Sequence, residues 1–400
     1  MRRPGGVKFK LRSRELFDVG FVTQGMRFRF LLAMMTASIC IAAPCQQPPK
    51  QAPFPLQMET RIPFAPTAFP SEGRIHLFYE LHLTNFMPSA AALDRIEVIN
   101  PDAPTQPIAV FDGENLQSMT ALLTSGKPTV PVQIPGGQTV IVFMSVEFDG
   151  TAQIPPRLAH RVVASGLVAE GAIVETHHTP LQVLGPPVEG PDWIADDAPD
   201  NSPDNHHRRG VHVLNGQPAI DERYAIDWQQ MQNGVTLSGD PTKRDSYFSY
   251  GKPALAVANA RVIAVRDGLP ENVPGHGNAF HPAIPITLDT VPGNFITLDL
   301  GHGQYAYYLH LQPGSIRVKI GEHVRRGQVL ARIGGSGDAR EPHLHFEVTT
   351  SPKPLIGEGI PYVIDHYTLM PTKGSSSAQQ RTHELPLNKS VVSFQEVSHD

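Results

Sequence analysis

The sequence predicts an all-β protein in which an N-terminal β-sandwich is followed by a second domain built on an antiparallel sheet. Two observations indicate this class. Apolar and polar residues alternate with period two in many short segments, and Gly- or Pro-rich turns separate these segments. Helical periodicity is almost absent. With 400 residues, 40% of them hydrophobic and 18% charged, the composition is that of an ordinary globular chain of two or three domains.

The charge distribution is uneven along the chain. The formal net charge is -5, and residues 1–47 carry eight Lys or Arg against two Asp or Glu. The rest of the chain therefore carries a net charge of about -11. This balance gives no indication of a surface that binds nucleic acid.

Residues 1–47 are predicted to be a targeting segment. A short basic stretch at Met26–Phe30 precedes the apolar run from Leu31 to Ala43, which is the layout of a secretory signal peptide, so Met26 is a candidate for the true start. The run is too short for a comfortable membrane span, and no stable span is expected after its removal. Both cysteines lie in or just after this run, which suits an exported, periplasmic or secreted protein. Lipid anchoring at Cys45 is disfavoured because a proline directly precedes this cysteine.

Residues 48–187 are predicted to form the β-sandwich. Short alternating segments separated by Pro and Gly indicate a domain of about immunoglobulin size. The predicted strands are Arg74–Leu83, Arg95–Val98, Ile108–Phe111, Thr139–Phe148, His160–Val168 and Ile173–His177. Residues 188–205 are rich in Asp and Pro and are predicted to be a linker. Residues 371–400 are predicted to be a polar tail, with a further edge strand at Val391–Phe394 as an alternative.

Residues 206–370 are predicted to form the second β domain. Its first strand, from Gly210 to Leu214, is followed by a hairpin turn at Asn215-Gly216 and a returning strand at Arg223–Trp228. Asp227 lies in this returning strand between apolar neighbours. A carboxylate in such a place is costly unless it has a partner such as a metal ion, although an exposed strand end is an alternative.

The stretch Glu341–Val348 has the alternation of a strand, which places His343 and His345 on one face. His310 lies in a second apolar strand, Tyr305–Leu311. Neighbouring imidazoles on one sheet face can bind a divalent metal ion or transfer protons. Three histidines in this context favour a functional site over solvated surface histidines.

These motifs, together with the glycine-bounded run Gly321–Gly334, resemble the M23-type zinc metallopeptidases, the LytM or lysostaphin-like peptidases. The resemblance covers residues 206–348 and leaves the N-terminal sandwich outside. It implies a LytM-like antiparallel sheet and a Zn²⁺ ion held by His207, Asp227 and His345. It also implies that His310 and His343 flank the open position of the metal as catalytic residues.

One spacing departs from the family pattern. The first histidine ligand usually precedes the aspartate by four residues, whereas His207 and Asp227 are twenty apart. A hairpin inserted between them can bring both side chains together. His206 and His212 are alternatives for the first ligand.

The resemblance implies a zinc metalloendopeptidase that hydrolyses peptide bonds, with peptidoglycan cross-links as the expected substrate. The alternative is a LytM-like module that binds or regulates cell-wall hydrolases without catalysis. A protein partner could bind through the N-terminal β-sandwich.

Overall fold

Strands dominate the fold. The computed structural model describes residues 54–123, 127–214, 216–371 and 377–396, which form 25 strands, two short helices and three single 3₁₀ turns. The helices are α1 (Gly113–Met119) and α2 (His206–Arg209). The predicted all-β class is confirmed. Among the described residues, no helix has the length and hydropathy needed to cross a bilayer. The predicted signal segment lies outside the described residues.

The N-terminal part of the chain forms two five-stranded antiparallel sheets, here named the N-terminal sheets. The first contains β1 (Met58–Arg61), β2 (Phe69–Ser71), β3 (Arg74–Asn85), β6 (Thr120–Leu122) and β8 (Thr139–Asp149). The second contains β4 (Ala91–Ile99), β5 (Pro107–Asp112), β7 (Val132–Ile134), β9 (Arg157–Ala164) and β10 (Leu167–Glu175). All six strands predicted in this region overlap observed strands.

The two N-terminal sheets share one apolar core. It includes Leu81 and Val142 from the first sheet and Ile96 and Val162 from the second, all fully buried. These residues come from the alternating segments that predicted the strands. Their burial removes apolar surface from water, which stabilises the fold by roughly 25 cal/mol for each Å² of apolar surface. The same sheets bury a few polar side chains, among them Glu80 and His160.

The C-terminal part is organised on one eleven-stranded sheet, with strand order β11-β23-β25-β12-β15-β22-β19-β18-β17-β20 and with β24 paired to β23. Its strands are β11 (Gln182–Leu184), β12 (Gly190–Asp196), β15 (Ile226–Gln230), β17 (Ala260–Arg266), β18 (Asn294–Gly301), β19 (Gln304–Leu311), β20 (His323–Val324), β22 (Leu344–Thr349), β23 (Tyr362–Leu369), β24 (Gln379–Glu384) and β25 (Val391–Phe394). Two small pairs complete the fold, β13 (His212–Leu214) with β14 (Gln217–Ala219) and β16 (Pro253–Leu255) with β21 (Val329–Arg332).

Two segments differ from their predictions. The expected linker contains β12, which lies inside the large sheet between β15 and β25 and buries Trp193 completely. The expected polar tail contains β24 and β25, and β25 pairs with both β12 and β23. Both segments are polar in composition, but the backbone of each is hydrogen-bonded to strands that are distant in sequence. Tertiary pairing thus orders segments whose composition alone favours irregular structure.

The hairpin after α2 also differs from its prediction. The returning strand is β14, whereas Asp227 lies on the separate strand β15, after a 3₁₀ turn at Asp221–Tyr224. The hairpin is therefore shorter than expected, and the large sheet itself positions the aspartate.

Candidate metal centre

Three neighbouring strands of the large sheet carry most of the candidate site. Strand β22 lies between β15 and β19, and Asp227 on β15 is directly opposite His345 on β22. Residues opposite each other in an antiparallel pair have Cβ atoms about 5 Å apart. His343 directly precedes β22, two residues before His345, and the period of two places it on the same face.

His310 reaches the site through an unusual backbone conformation. Leu309 on β19 pairs with His345, so a regular strand would direct the next side chain to the opposite face. His310 instead has φ +63°, in the left-handed region, and its amide donates to the carbonyl of Pro292 at 3.1 Å. Left-handed conformations of residues other than glycine are uncommon and concentrate at functional sites. Here the conformation breaks the alternation, and the His310 ring packs against the His343 ring at 4.9 Å between centroids.

His207 arrives from α2, outside the sheet. Asn205 caps this four-residue helix by accepting a hydrogen bond from the Arg208 amide at 2.8 Å. The His207 ring lies 4.8 Å from the His345 ring, almost perpendicular to it. Its Nε2 atom is 3.5 Å from Oδ1 of Asp227. Despite the separation of twenty residues in sequence, the structure brings His207 and Asp227 together.

Asp227 is the centre of the cluster. Its Oδ1 atom is 3.0 Å from Nδ1 of His345, 3.3 Å from Nε2 of His343 and 3.5 Å from Nε2 of His207. All these residues are buried, with exposed fractions of 8% or less. Burial alone would raise the pKa of the Asp227 carboxyl, but the surrounding histidines outweigh burial and hold it well below its usual range. Asp227 therefore remains an ionised carboxylate although it is buried.

Backbone carbonyls fix the orientation of three of the histidine rings. Because a carbonyl oxygen only accepts, Nδ1 of each ring must be the protonated nitrogen that donates to it. His207 donates to Asp197 at 2.9 Å, His310 to Ser336 at 2.9 Å and His343 to Glu341 at 2.7 Å. The Nε2 atom of each ring is therefore free to bind a metal ion or to exchange a proton. The Nε2 atoms of His207 and His343 both approach Asp227.

His345 has the opposite orientation, with Nδ1 facing Asp227. Its Nε2 atom is buried and has no hydrogen-bond partner among the described residues, and the Glu347 carboxylate lies 3.9 Å away. A carboxylate behind a metal-binding histidine commonly fixes the tautomer that leaves the other nitrogen free for the metal. Glu347 thus fits a supporting role for Nδ1 coordination by His345.

The protonation states of the histidines differ. Burial lowers the pKa of His207 to about 3 and that of His310 well below its usual value, so both rings are neutral near pH 7. Burial acts in the same direction on His343 and His345, but the Asp227 carboxylate outweighs it and raises the pKa of both. Asp227 therefore favours protonated, positively charged rings at His343 and His345. A metal cation beside Asp227 would supply the same positive charge and could replace these protons.

The donor set fits a zinc ion. Two imidazole nitrogens and a carboxylate oxygen are ligand types that Zn²⁺ accepts, and catalytic zinc sites use three protein ligands with one position left open. Three overlapping groups of donor atoms, each within 4.8 Å, could hold a metal ion: His310 with His343 and His345, His206 with His207 and Asp227, and His207 with Glu222 and His345. Each of these groups includes at least one of His207, Asp227 and His345.

The cluster lies in a cleft with a volume of about 800 Å³. Its wall combines apolar residues with charged ones, namely Ile286, Leu288, Val291, Pro292 and Leu355 with Asp196, His276, Arg340 and Glu341. A volume of this size is in the range of sites that bind small molecules or short peptide segments. The cluster thus lines a cleft, although its residues are buried.

A family model, Peptidase family M23, matches residues 245–355. This part of the chain is similar to peptidase family M23. The M23 match contains His310, His343 and His345, whereas His207 and Asp227 precede it.

Curated relatives match over short lengths. The peptidoglycan DD-endopeptidase ShyB of Vibrio cholerae serotype O1 is 33% identical over 105 residues, which are 26% of this chain and 19% of that protein. The peptidoglycan DD-endopeptidase ShyA of the same organism is 36% identical over 63 residues, 16% of this chain and 14% of that protein. The chain thus spans less than a fifth of the length of either relative.

Solved structures of peptidases show weak likeness. The catalytic domain of lysostaphin from Staphylococcus simulans is 19% identical with a TM-score of 0.22, and the likeness covers 37% of this chain and 80% of that one. A zinc-containing peptidase from Vibrio cholerae is 16% identical with a TM-score of 0.20, over 73% of this chain and 81% of that one.

The structure brings together all five residues predicted for the site, namely His207, Asp227, His310, His343 and His345. Of the two alternatives to His207, His206 lines the cleft but is 62% exposed and pairs with Asp197 at 3.1 Å. His212 pairs instead with the buried Asp221 at 3.2 Å. Neither ring has the buried, carbonyl-anchored geometry of His207.

Sequence reasoning missed two carboxylates near the cluster. Glu347 is the next residue on the His343 and His345 face at period two, so the alternation that identified the histidines could have found it. Glu222 lies in the 3₁₀ turn before β15, where no sequence periodicity identifies it. Burial, together with the neighbouring Asp221, raises the pKa of Glu222 to about 7.

Proposed function

We propose that the chain is a zinc-dependent metalloendopeptidase that hydrolyses peptide bonds in peptidoglycan cross-links. The observation that carries this proposal is the convergence of His207, His343 and His345 on one oxygen of the buried Asp227. The M23 match supports peptidase chemistry, and the names of the curated relatives support peptidoglycan as the substrate.

In this proposal the metal ligands are Nε2 of His207, Oδ1 of Asp227 and Nδ1 of His345. His207 Nε2 and His345 Nδ1 both approach the same oxygen of Asp227, at 3.5 and 3.0 Å. The carbonyl of Asp197 fixes the His207 ring from behind, and the Glu347 side chain lies 3.9 Å behind the His345 ring. When bound, Zn²⁺ lowers the pKa of a water ligand towards 7 and polarises the carbonyl of the scissile bond.

The chain's own residues would then manage the protons. His310 is neutral and anchored through Nδ1, so its Nε2 atom is a proton acceptor directed towards the cleft. His343 is anchored in the same way, and Asp227 favours a proton on its Nε2 atom. One imidazole that accepts and one that donates can serve as general base and general acid on the two sides of a peptide bond.

The cleft would orient the substrate. Leu288, 60% exposed, and the other apolar wall residues provide a surface for an extended peptide. Arg340 on the charged side of the cleft can pair with a peptide carboxylate. Export to the periplasm or the cell exterior would bring the chain to peptidoglycan. Binding of a protein partner at the N-terminal sheets stays a prediction.

The test is mass spectrometry of the fragments released when the purified, zinc-loaded protein is incubated with purified peptidoglycan. We expect new peptide amino and carboxyl termini from the parent chain and none from His343→Ala. His323→Ala, which replaces an exposed histidine of β20, is the matched control and should retain cleavage. If the zinc-loaded parent releases no fragments, the hydrolytic proposal fails and the non-catalytic regulatory role takes its place.

A further inference from the structure

A buried ionic cluster connects the N-terminal sheets to the segments that carry His207 and Asp227. It consists of Glu80 on β3, Arg208 on α2, Arg223 in the 3₁₀ turn before β15, and Glu358 after β22. Glu80 and both arginines have exposed fractions of 3% or less. Burying charged side chains is costly, so a cluster of this kind needs nearly complete pairing.

Arg208 directly follows His207 and is fully buried. One end of its guanidinium pairs with the Glu80 carboxylate, and Nη2 donates to the carbonyls of Tyr79 at 3.0 Å and Met144 at 3.2 Å. All three acceptors belong to the first N-terminal sheet, on strands β3 and β8. The side chain next to the proposed ligand is thus inserted into the N-terminal part of the chain.

Arg223 precedes Asp227 by four residues and binds the same carboxylate. Its Nε donates to both oxygens of Glu80 at 3.1 and 3.2 Å, and its Nη2 donates to Glu80 and to Glu358, each at 2.7 Å. Nη1 donates to the carbonyl of Gly359 at 2.8 Å. The two arginines outweigh the effect of burial and lower the pKa of Glu80 to about 2, so this carboxylate stays ionised. Glu80 therefore holds an arginine from each of the two segments.

The two proposed ligands differ in how their backbones are supported. Asp227 lies inside the large sheet, where β15 is hydrogen-bonded to β12 on one side and to β22 on the other. His207 lies on a helix of four residues, which is too short to be stable through its own hydrogen bonds. Its position depends on side-chain contacts. These are the cap formed by Asn205 and the hydrogen bonds of the Arg208 and Arg209 side chains. Arg209, for example, donates to the carbonyl of Asn201 at 2.7 Å.

We propose that Glu80 is a positioning residue of the metal centre, so that the N-terminal sheets form part of the support for metal binding. The carboxylate fixes α2 against the turn that leads into β15 and thereby sets the 3.5 Å separation between His207 Nε2 and Asp227 Oδ1. This inference rests on the ligand assignment of the proposed function. Residues that orient metal ligands from behind commonly contribute 10- to 100-fold to metal affinity.

The chain offers a matched control for Glu80. Glu97 is also a nearly buried carboxylate of the N-terminal sheets, 8% exposed, and also binds two arginines, Arg95 and Arg161, each at 2.7 Å. Glu97 lies on β4 of the other N-terminal sheet, and its arginine partners are on β4 and β9. The two arginines of Glu97 are more exposed, at 47% and 25%, than those of Glu80. Glu97→Gln therefore removes a nearly buried carboxylate that also binds two arginines, without touching α2.

The experiment compares zinc affinity, measured by competition with a chelating dye, in the parent, Glu80→Gln and Glu97→Gln. We expect Glu80→Gln to bind zinc about 10- to 100-fold more weakly and Glu97→Gln to match the parent. The visible spectrum of the Co²⁺-substituted protein should change in Glu80→Gln only, since it reports ligand geometry. A folded Glu80→Gln with parental affinity, or equal losses in both variants, would overturn the inference.

Arg208→Lys provides a second variant in case Glu80→Gln does not fold. Lysine keeps the positive charge beside Glu80, but its single ammonium group cannot reproduce the planar fork of arginine that reaches three acceptors. The same loss of zinc affinity is expected, and parental affinity in the folded variant contradicts the inference. If the parent itself binds no zinc, the proposed metal centre fails first, and the positioning role of Glu80 fails with it.

Discussion

The N-terminal sheets and the metal centre both bury histidines, but they use the two ring nitrogens differently. His160 on β9 is fully buried, donates from Nδ1 to the carbonyl of Ala172 at 3.0 Å and accepts at Nε2 from the hydroxyl of Tyr79 at 2.7 Å. His207 and His310 are anchored to carbonyls in the same way, yet Nε2 of each is directed into the cluster.

In the proposed function, this difference separates a structural histidine from a ligand or catalytic one. Burial and a carbonyl anchor are common to both regions, so neither property identifies a functional site. The distinguishing property is the partner of the second ring nitrogen, Nε2. In His160 this nitrogen accepts a hydrogen bond from a neutral hydroxyl. In the cluster it faces the shared carboxylate or other imidazole rings. The comparison predicts that the histidines of the cluster also differ from one another, because only some of them would contact the metal.

The largest expected effect tests this division. His345→Ala or Asp227→Ala should lose stoichiometric zinc together with activity, because each removes a ligand of a three-ligand site. His343→Ala should retain zinc and lose turnover by about 10²- to 10⁴-fold, the usual range for a general acid or base. Zinc content by elemental mass spectrometry and turnover on a cross-linked muropeptide measure the two properties separately. Equal zinc loss in all three variants would remove the distinction between ligands and catalytic histidines.

A second prediction concerns the structural histidine. Burial lowers the pKa of His160 to about 4, whereas an unfolded histidine titrates near 6.5. As the pH falls, the unfolded chain therefore binds this proton first, and stability is lost progressively between about pH 6.5 and pH 4. Between pH 7.5 and pH 5, the parent should lose about 2 kcal/mol more stability than His160→Gln.

Urea unfolding of the zinc-free proteins at the two pH values measures this difference. The other histidines contribute to both proteins, so their effects cancel in the comparison. If His160→Gln loses as much stability as the parent, His160 does not remain neutral in the folded state.

Much of the fold could be predicted because its strands alternate strongly. The pattern identified β3, β8, β19 and β22, and it placed His343 and His345 on one face. Local periodicity could not identify β12, since this Asp- and Pro-containing strand is ordered by partners distant in sequence. Its Trp193 is opposite Gln230 in one neighbouring strand and Val392 in the other.

The candidate site was predictable in part. The period of two groups the histidines of β22, whereas the access of His310 depends on a left-handed φ that no pattern reveals. The approach of His207 depends on Arg208 and Glu80, which are 128 residues apart. Ion pairs between side chains of remote segments leave no periodic pattern in the sequence. His207 was therefore indicated only by the resemblance to a family. The residues that support it, Arg208 and Glu80, could be found only in the three-dimensional structure.

The smallest expected effect distinguishes His207 from its neighbour. The His206 ring is 62% exposed and binds the side chain of Asp197, whereas the backbone carbonyl of Asp197 anchors His207. His206→Ala therefore loosens a residue that supports the proposed ligand His207 but removes none of the proposed ligands. An exposed ion pair contributes at most about 1 kcal/mol. Zinc affinity should fall by no more than about fivefold, while His207→Ala should lose zinc binding as Asp227→Ala does. If His206→Ala instead loses zinc binding and His207→Ala keeps most of its zinc affinity, His206 is the ligand. His207 would then be a structural histidine like His160.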